Sequence, residues 1–277
     1  MKLARFAGPD GRTRIGRLVA PDTAQPLIGE LFGTLSFADE RVTVVAFLPP
    51  VEPPNILAIG RNYTAHAAEM GSAPPERPLV FLKPTTSLLA PGQPIVLPAA
   101  APNEVDFEAE LAIVIGRPAR RVPESAAEDY ILGYTCANDV SARDCQRSDK
   151  QWARAKGFDT FCPLGPWLVT ADELDVRDVA ICSRLNDRVM QAARTREMVF
   201  SCRQLVSYLS HQFTLRPGTV ILTGTPEGVG FARQPPVFLR PGDRIEVEIE
   251  GIGTLWNPVV AEAGSTTGDV VAAAGAC

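Results

Sequence analysis

The chain has 277 residues, 45% of them hydrophobic and 21% charged, and a formal net charge of −5. This composition is ordinary for a globular protein, its acidic balance argues against nucleic acid as the main partner, and no apolar run approaches the roughly 18 residues of a membrane span. Met1-Lys2-Leu3-Ala4-Arg5 lacks the apolar stretch of a secretion signal, and Cys136, Cys145, Cys162, Cys182, Cys202 and Cys277 form no C-x-x-C pair. They read as reduced thiols in a cytoplasmic protein, and a zinc site built from them is not expected.

Residues 1–50 read as a small β-rich module, in which Leu3 to Phe6 pairs with Arg14 to Ala20 across the turn Gly8-Pro9-Asp10-Gly11. The prolines of Val51-Glu52-Pro53-Pro54 make a linker. Asn55 to Gly60 has the pattern of a buried strand, and Ala65 to Met70 favours a helix that Gly71 can stop. His66 and Glu69 are three apart and so share one helical face. A carboxylate beside an imidazole fixes its tautomer and raises its basicity, as a general base requires. Taken alone, an H-x-x-E spacing is more often a surface histidine with an incidental acidic neighbour. Val80 to Lys83 is a strand leading into a polar turn, and Lys83 either faces a crevice or snorkels to water.

Val105 to Gly116 reads as one strand running into a core. Alternation puts Glu108 and Glu110 on the same face. An isolated E-x-E of this kind is usually the solvated face of an edge strand. Asp139 changes the weighting, because it ends a second strand-like run, Gly133 to Asn138, where the chain turns toward helix-compatible residues from Ser141. Three carboxylates without His or Cys suit a hard cation such as Mg2+, Mn2+ or Ca2+. Arg143, Gln146 and Lys150 follow Asp139 at helical spacing, so Arg143 and Gln146 can reach an acid substrate held at the cation. Lys156, in the turn-rich Lys156-Gly157-Phe158-Asp159, can polarise a carbonyl or steady an oxyanion.

Pro123 to Tyr130 is expected to make a short helix, Leu185 to Val189 a hairpin turn, and Ser201-Cys202-Arg203-Gln204 a capping box that opens a helix to about Phe213. His211 has no nearby acid and reads as structural. Thr219 to Thr223 is a strand, and the Gly224-Thr225-Pro226-Glu227-Gly228-Val229-Gly230 segment after it lacks the G-K-[ST] ending of a phosphate-binding loop. Arg244 to Glu250 alternates as a strand, and the weakly hydrophobic end of the chain, residues 263–277, is expected to be disordered.

Taken in order, these stretches carry a resemblance. Gly60-Arg61-Asn62-Tyr63 with His66 and Glu69, Phe81-Leu82-Lys83-Pro84, Asp106-Phe107-Glu108-Ala109-Glu110-Leu111, Asn138-Asp139-Val140-Ser141-Ala142-Arg143-Asp144 with Gln146, Lys156-Gly157-Phe158-Asp159 and Leu222 to Gly230 resemble the fumarylacetoacetate hydrolase family over about residues 53–262. The closer likeness is to its bacterial acylpyruvase and hydroxymuconate isomerase branch. Asn186-Asp187 stands where many relatives have Asn-Gly, a matter of turn geometry only.

The resemblance implies an α+β fold, a mixed β-sandwich roll with peripheral helices, and usually a homodimer. It implies Mg2+ or Mn2+ on Glu108, Glu110 and Asp139, a His66–Glu69 pair on a mobile lid, and substrate contacts from Lys83, Arg143, Gln146, Lys156 and Thr225; the role of Thr225 comes from the resemblance alone. The implied reaction is hydrolysis of a C–C bond in a 2,4-dioxo acid of the acylpyruvate type. In it His66 deprotonates water, Lys156 supports the oxyanion, and pyruvate enolate is left on the metal. Oxaloacetate decarboxylation and hydroxymuconate-type isomerisation use the same enolate, and the His66–Glu69 pair favours hydrolysis over both. A non-catalytic protein binding a cation or small acid is the rival of another class, which the full set of His, Glu and Lys side chains argues against.

Overall fold

Ala109–Ile115 is buried along its whole length, and the molecule is layered on both of its faces. The computed structural model describes residues 1–263. The tail expected to be disordered lies, from Gly264 on, outside the described residues. On one face Leu111, Ile113 and Ile115 pack with Val247, Ile249 and Leu255 of a second sheet and with Leu205 and Leu209 of a helix. On the other, Ala112 and Val114 pack with Leu3, Leu31, Leu164 and Leu222. A strand covered on both sides has no polar face to offer water, which is why the run Leu-Ala-Ile-Val-Ile shows no alternation.

This strand lies within a sheet of thirteen strands. The hydrogen-bonded path through ten of them is Ser36–Phe37, Thr23–Ile28, Thr13–Ala20, Lys2–Ala7, Cys162–Thr170, Ile131–Asn138, Ala109–Ile115, Val220–Leu222, Ile56–Gly60 and Leu79–Lys83, with Val42–Thr43, Ala46–Leu48 and Leu88–Leu89 pairing off it. The expected pairing of Leu3–Phe6 with the strand after the turn is present, and Lys2–Ala7 also pairs with Cys162–Thr170. The strands of residues 1–50 therefore continue the sheet that holds the three acids. A five-stranded sheet, ordered Ile95–Leu97, Gly253–Ala261, Arg244–Ile249, Ala180–Leu185 and Arg188–Arg194, packs face to face with the first. Most pairings are antiparallel; Val220–Leu222 with Ile56–Gly60, Ile95–Leu97 with Gly253–Ala261 and Cys162–Thr170 with Leu88–Leu89 are parallel. The result is the expected mixed β-sandwich, with its few helices at the periphery.

Two local departures matter for the site. The expected strand from Val105 is split: Val105–Asp106 pairs with Ser141–Ala142, and Ala109–Ile115 pairs with Ile131–Asn138. Phe107 and Glu108 form the break, and the helix expected from Ser141 begins at Arg143. Elsewhere Glu124–Tyr130 is a 3-10 helix, and Cys202–Gln212 carries the Ser201/Gln204 capping box in full. Asn186 and Asp187 both have positive φ, 49° and 66°, the twist that a two-residue hairpin needs, and Asp meets it where Gly is commoner. The five described cysteines are all free thiols. No helix among the described residues is long and apolar enough to cross a membrane.

Gly133 shows how tightly the strand leading to Asp139 is held against its neighbour, Cys162–Thr170. It sits opposite Thr170 in the sheet, and a Cβ there would overlap the carbonyl oxygen of Val169, a backbone atom that cannot swing away. Gly133→Ala should therefore destabilise the protein by about 1–3 kcal/mol, the usual range for overpacking. A urea titration checks this, and an unchanged midpoint would contradict it.

Candidate active site

The antiparallel pairing of Ala109–Ile115 with Ile131–Asn138 sets Ala109 opposite Asn138. Just past that register the Asp139 amide donates to the Glu108 carbonyl at 2.9 Å, and the Glu108 amide to Asn138 Oδ1 at 3.0 Å. The ends of the two strands thereby converge, and oxygens of Glu108, Glu110 and Asp139 lie within 4.8 Å of one another. All three side chains are buried. The bland alternative, a solvated edge, is excluded.

Cations hold most of this charge. Lys156 Nζ reaches Glu108 Oε2 at 2.7 Å and Asp139 Oδ2 at 2.8 Å, and Lys83 Nζ reaches Asp139 Oδ1 at 2.6 Å. Arg143 Nη2 lies 2.8 Å from both Glu108 Oε1 and Asp106 Oδ2. Burial alone would push Glu108 up, but Lys156 and Arg143 outweigh it and hold its carboxyl down at about 2. Lys156 is likewise moved above the ordinary lysine range: burial opposes this, and Asp139 and Glu108 overcome it. Glu110 differs: among the described residues it has no ion pair and accepts only the Gly224 amide, at 2.6 Å. Burial, and then the charges of Asp139 and Glu108, push it well above the usual carboxylate range. A buried carboxylate lacking a counter-charge beside two others fits a bound divalent cation, and an all-oxygen donor set selects a hard one such as Mg2+ or Mn2+.

The candidate base stands apart from this set. His66 is only 6% exposed, and its Nδ1 lies 2.8 Å from Glu69 Oε1. A carboxylate only accepts, so Nδ1 carries the hydrogen and Nε2 is left as the basic nitrogen. Glu69 Oε2 is itself fixed by the Gly228 amide at 2.9 Å. Gly228 has φ 95° and a Cβ there would overlap Met190 O, so only glycine lets this loop approach Glu69. His66, Glu108, Arg143, Gln146, Lys156 and Thr225 line one cavity of about 210 Å³, closed by Arg61, Phe81 and Trp152 among others.

The structure brings most of the expected residues to this cavity but changes what several can do. Lys83 does not line it: its buried ammonium donates to Asp139 Oδ1 and to the Lys156 carbonyl. Arg143 lines it with its guanidinium spent on Asp106, Glu108 and Gln146 Oε1. Thr225 gives its hydroxyl hydrogen to Ala109 O at 2.9 Å. His211, outside the site as expected, is exposed and bonded to Ser207 O.

Two buried residues had no assigned role. Asp106 accepts from the Phe107, Gly230 and Phe231 amides and from Arg143. Its signal was in the acids at 106, 108 and 110. Gln191 has no such signal. Its Oε1 accepts from the Ala109 amide and Ser183 Oγ, both at 3.0 Å, and its Nε2 donates to Thr225 Oγ1 at 2.7 Å and Pro226 O at 2.8 Å. It thus ties the backbone between Glu108 and Glu110 to the Thr225 loop.

Loss of groups that orient metal ligands typically costs about 10–100-fold in affinity. Gln191→Leu should weaken Mn2+ binding, followed by calorimetry, within that range. Wild-type affinity in a folded variant would remove Gln191 from the support of the acids.

Comparison with known proteins places this geometry. The family profile described as fumarylacetoacetate (FAA) hydrolase C-terminal matches residues 55–260. Protein Rv2993c of Mycobacterium tuberculosis is 47% identical over 268 residues, covering 94% of this chain and 98% of that protein. The human mitochondrial oxaloacetate tautomerase FAHD2A is 46% identical over 220 residues, covering 78% of this chain and 70% of that protein. The crystal structure of 5-carboxymethyl-2-hydroxymuconate delta-isomerase from Mycobacterium smegmatis superposes with a TM-score of 0.83 at 46% identity, covering 95% of this chain and all of that one. The chain belongs to the fumarylacetoacetate hydrolase family.

Proposed function

We propose that the chain is a divalent-cation-dependent enzyme that moves a proton within a 2-oxo dicarboxylic acid, as a tautomerase or double-bond isomerase. The observation that carries this reading is the His66–Glu69 dyad, a held base lining the cavity beside acids that are themselves paired or poised for a cation. The relatives support it: one is named for tautomerising oxaloacetate and another for isomerising a carboxymethyl-hydroxymuconate.

Glu108, Glu110 and Asp139 would hold the cation, which when bound supplies Lewis-acid stabilisation to charge on the 2-oxo oxygen. His66 Nε2 takes the proton from the carbon next to that carbonyl and returns it, to carbon or to oxygen. Glu69 stabilises the imidazolium that forms and keeps the ring in register. Gln146, whose oxygen is engaged by Arg143 Nη1 at 2.9 Å, turns its amide hydrogens to the substrate. Lys156 and Arg143 keep Glu108 ionised and fixed in place.

A second reading is hydrolysis of an acylpyruvate C–C bond, and the same dyad favours it, since a base beside the cavity can take its proton from water instead of carbon. Its product test is simple: acylpyruvate would release pyruvate.

Wild-type protein with Mg2+ or Mn2+ should accelerate ketonisation of enol-oxaloacetate or isomerisation of a hydroxymuconate, and EDTA should abolish this. His66→Gln should lower that rate by about 10²–10⁴-fold, the usual contribution of a positioned base, with Mn2+ affinity little changed. Pyruvate release from acylpyruvates, with no proton-transfer activity, would replace the first reading by the second. An unimpaired His66→Gln variant would remove His66 from the mechanism.

A further inference from the structure

We propose that a second cavity, separate from that of the three acids, binds a small zwitterion of the apolar α-amino-acid class, and that its occupant acts on the His66–Glu69 pair through a shared wall. This cavity, of about 630 Å³, is lined from the Glu124–Tyr130 3-10 helix, the segment after Cys162–Thr170 and the start of the Cys202–Gln212 helix. It has no lining residue in common with the cavity that holds His66. One of its residues is a polar group that the fold leaves unused. Tyr134 lines the cavity and is only 3% exposed, and its hydroxyl has no hydrogen-bond partner among the described residues. Nearly all buried hydroxyls find a partner, because leaving one unpaired costs stability. Burial pushes the phenol above its ordinary range, so it keeps its hydrogen and can donate to a ligand.

Both charges of a zwitterion find counterparts in the same lining. Arg203 spends only Nε, on Glu128 Oε1 at 2.5 Å, and its two terminal nitrogens have no partner among the described residues. It stands in the first turn of the eleven-residue Cys202–Gln212 helix, whose dipole also favours an anion. Its planar fork suits a carboxylate. Arg177 and Arg196 add two guanidinium groups, paired with Asp175 and Asp178 in exposed contacts that cost little to exchange. Against these, Glu124 and Asp172 line the cavity, and neither has a lysine or arginine partner among the described residues. With Glu128 and Asp175 they make four carboxylates facing three guanidinium groups. A bare anion meets a net negative wall there, whereas a carboxylate with an ammonium beside it meets both signs. Leu174, Val176 and Met198 supply apolar surface for a hydrocarbon side chain.

One wall of this cavity also supports the dyad. Met198 lines it and pairs with Tyr63 through an isolated backbone bridge. The next two residues grip Asn62: the Val199 amide donates to Asn62 O at 2.7 Å, and the Phe200 amide to Asn62 Oδ1 at 2.8 Å. Asn62 Nδ2 returns a bond to Phe200 O at 3.0 Å. Asn62 and Tyr63 lead directly into the Thr64–Glu69 helix that carries His66 and Glu69. A ligand that fixes the 195–203 segment thereby fixes the start of that helix.

The test uses the full chain with Mg2+ and three probes: L-leucine, 4-methylpentanoate, which lacks the ammonium, and 3-methylbutylamine, which lacks the carboxylate. Calorimetry should show L-leucine binding about 10-fold or more tightly than either, because each truncated probe forfeits a charge-assisted contact. R203Q should weaken L-leucine by about 10–100-fold. Y134F should weaken it by about 2–10-fold and leave the melting temperature equal or higher, since the hydroxyl makes no bond to the described residues. E124Q should weaken L-leucine and leave 4-methylpentanoate unchanged. The chain has two histidines, so H211Q assigns the ring NMR signals of His66. L-leucine should shift those signals in wild type and not in R203Q. No binding of L-leucine up to about 10 mM, equal binding of the three probes, or full affinity in both R203Q and Y134F overturns the site. Binding that leaves the His66 signals unmoved overturns its action on the dyad. None of these readouts depends on the reaction assigned to the first cavity.

Discussion

The structure depends on a buried charge cluster that does not balance. Asp106, Glu108, Glu110 and Asp139 face Lys83, Arg143 and Lys156, all of them buried. Each pairing between them uses a short, direct contact, yet the acids outnumber the cations, and Glu110 is the acid left without an ion pair among the described residues. Taking ions out of water costs several kcal/mol apiece even when they are paired, and hydrophobic replacements of similar volume are often no less stable. A fold that keeps seven such groups in its interior is organised around what they do together. The sandwich supplies the rigidity: the acid-bearing strands lie inside a thirteen-stranded sheet covered on both faces, so the carboxylates are held together and cannot relax apart.

Around that cluster the remaining groups divide the work. The Thr225 loop closes one side and is pinned through Gln191 to the very peptide that separates Glu108 from Glu110. The neighbouring Gly228 fixes Glu69, and Glu69 fixes His66. The His66–Glu69 pair and the acids are therefore positioned by the same loop from two directions. A cation on such acids and a proton acceptor lining the same cavity are the minimum that enolisation of a 2-oxo acid requires. Attack by water would need that minimum and a place for the water as well.

Much of the site was legible because strand geometry is local. Alternation put Glu108 and Glu110 on one side, and a strand's end put Asp139 beside them. The H-x-x-E spacing gave the dyad, and the hairpin at Asn186-Asp187 and the Ser201 cap followed from turn and capping chemistry. What was not legible is non-local. Lys83 and Lys156 lie 73 residues apart in sequence and meet only through tertiary packing, so the contacts of Lys83 with Asp139 and the Lys156 carbonyl had no local signal. Gln191 is 82 residues from Ala109, whose amide it holds. The break at Phe107–Glu108 was hidden because both residues suit a strand. The N-terminal strands carried no signal of the sheet they join, since register across such a distance is written in packing and not in pattern.

Proton NMR of oxaloacetate in D2O, with the protein and Mg2+, tests the central claim most directly. The expected result is deuterium entering the carbon next to the 2-oxo group faster than in the protein-free control, with the carbon skeleton intact. Conversion to pyruvate with no accelerated exchange in the remaining oxaloacetate, or no effect of the protein at all, would contradict proton transfer as the reaction of this site.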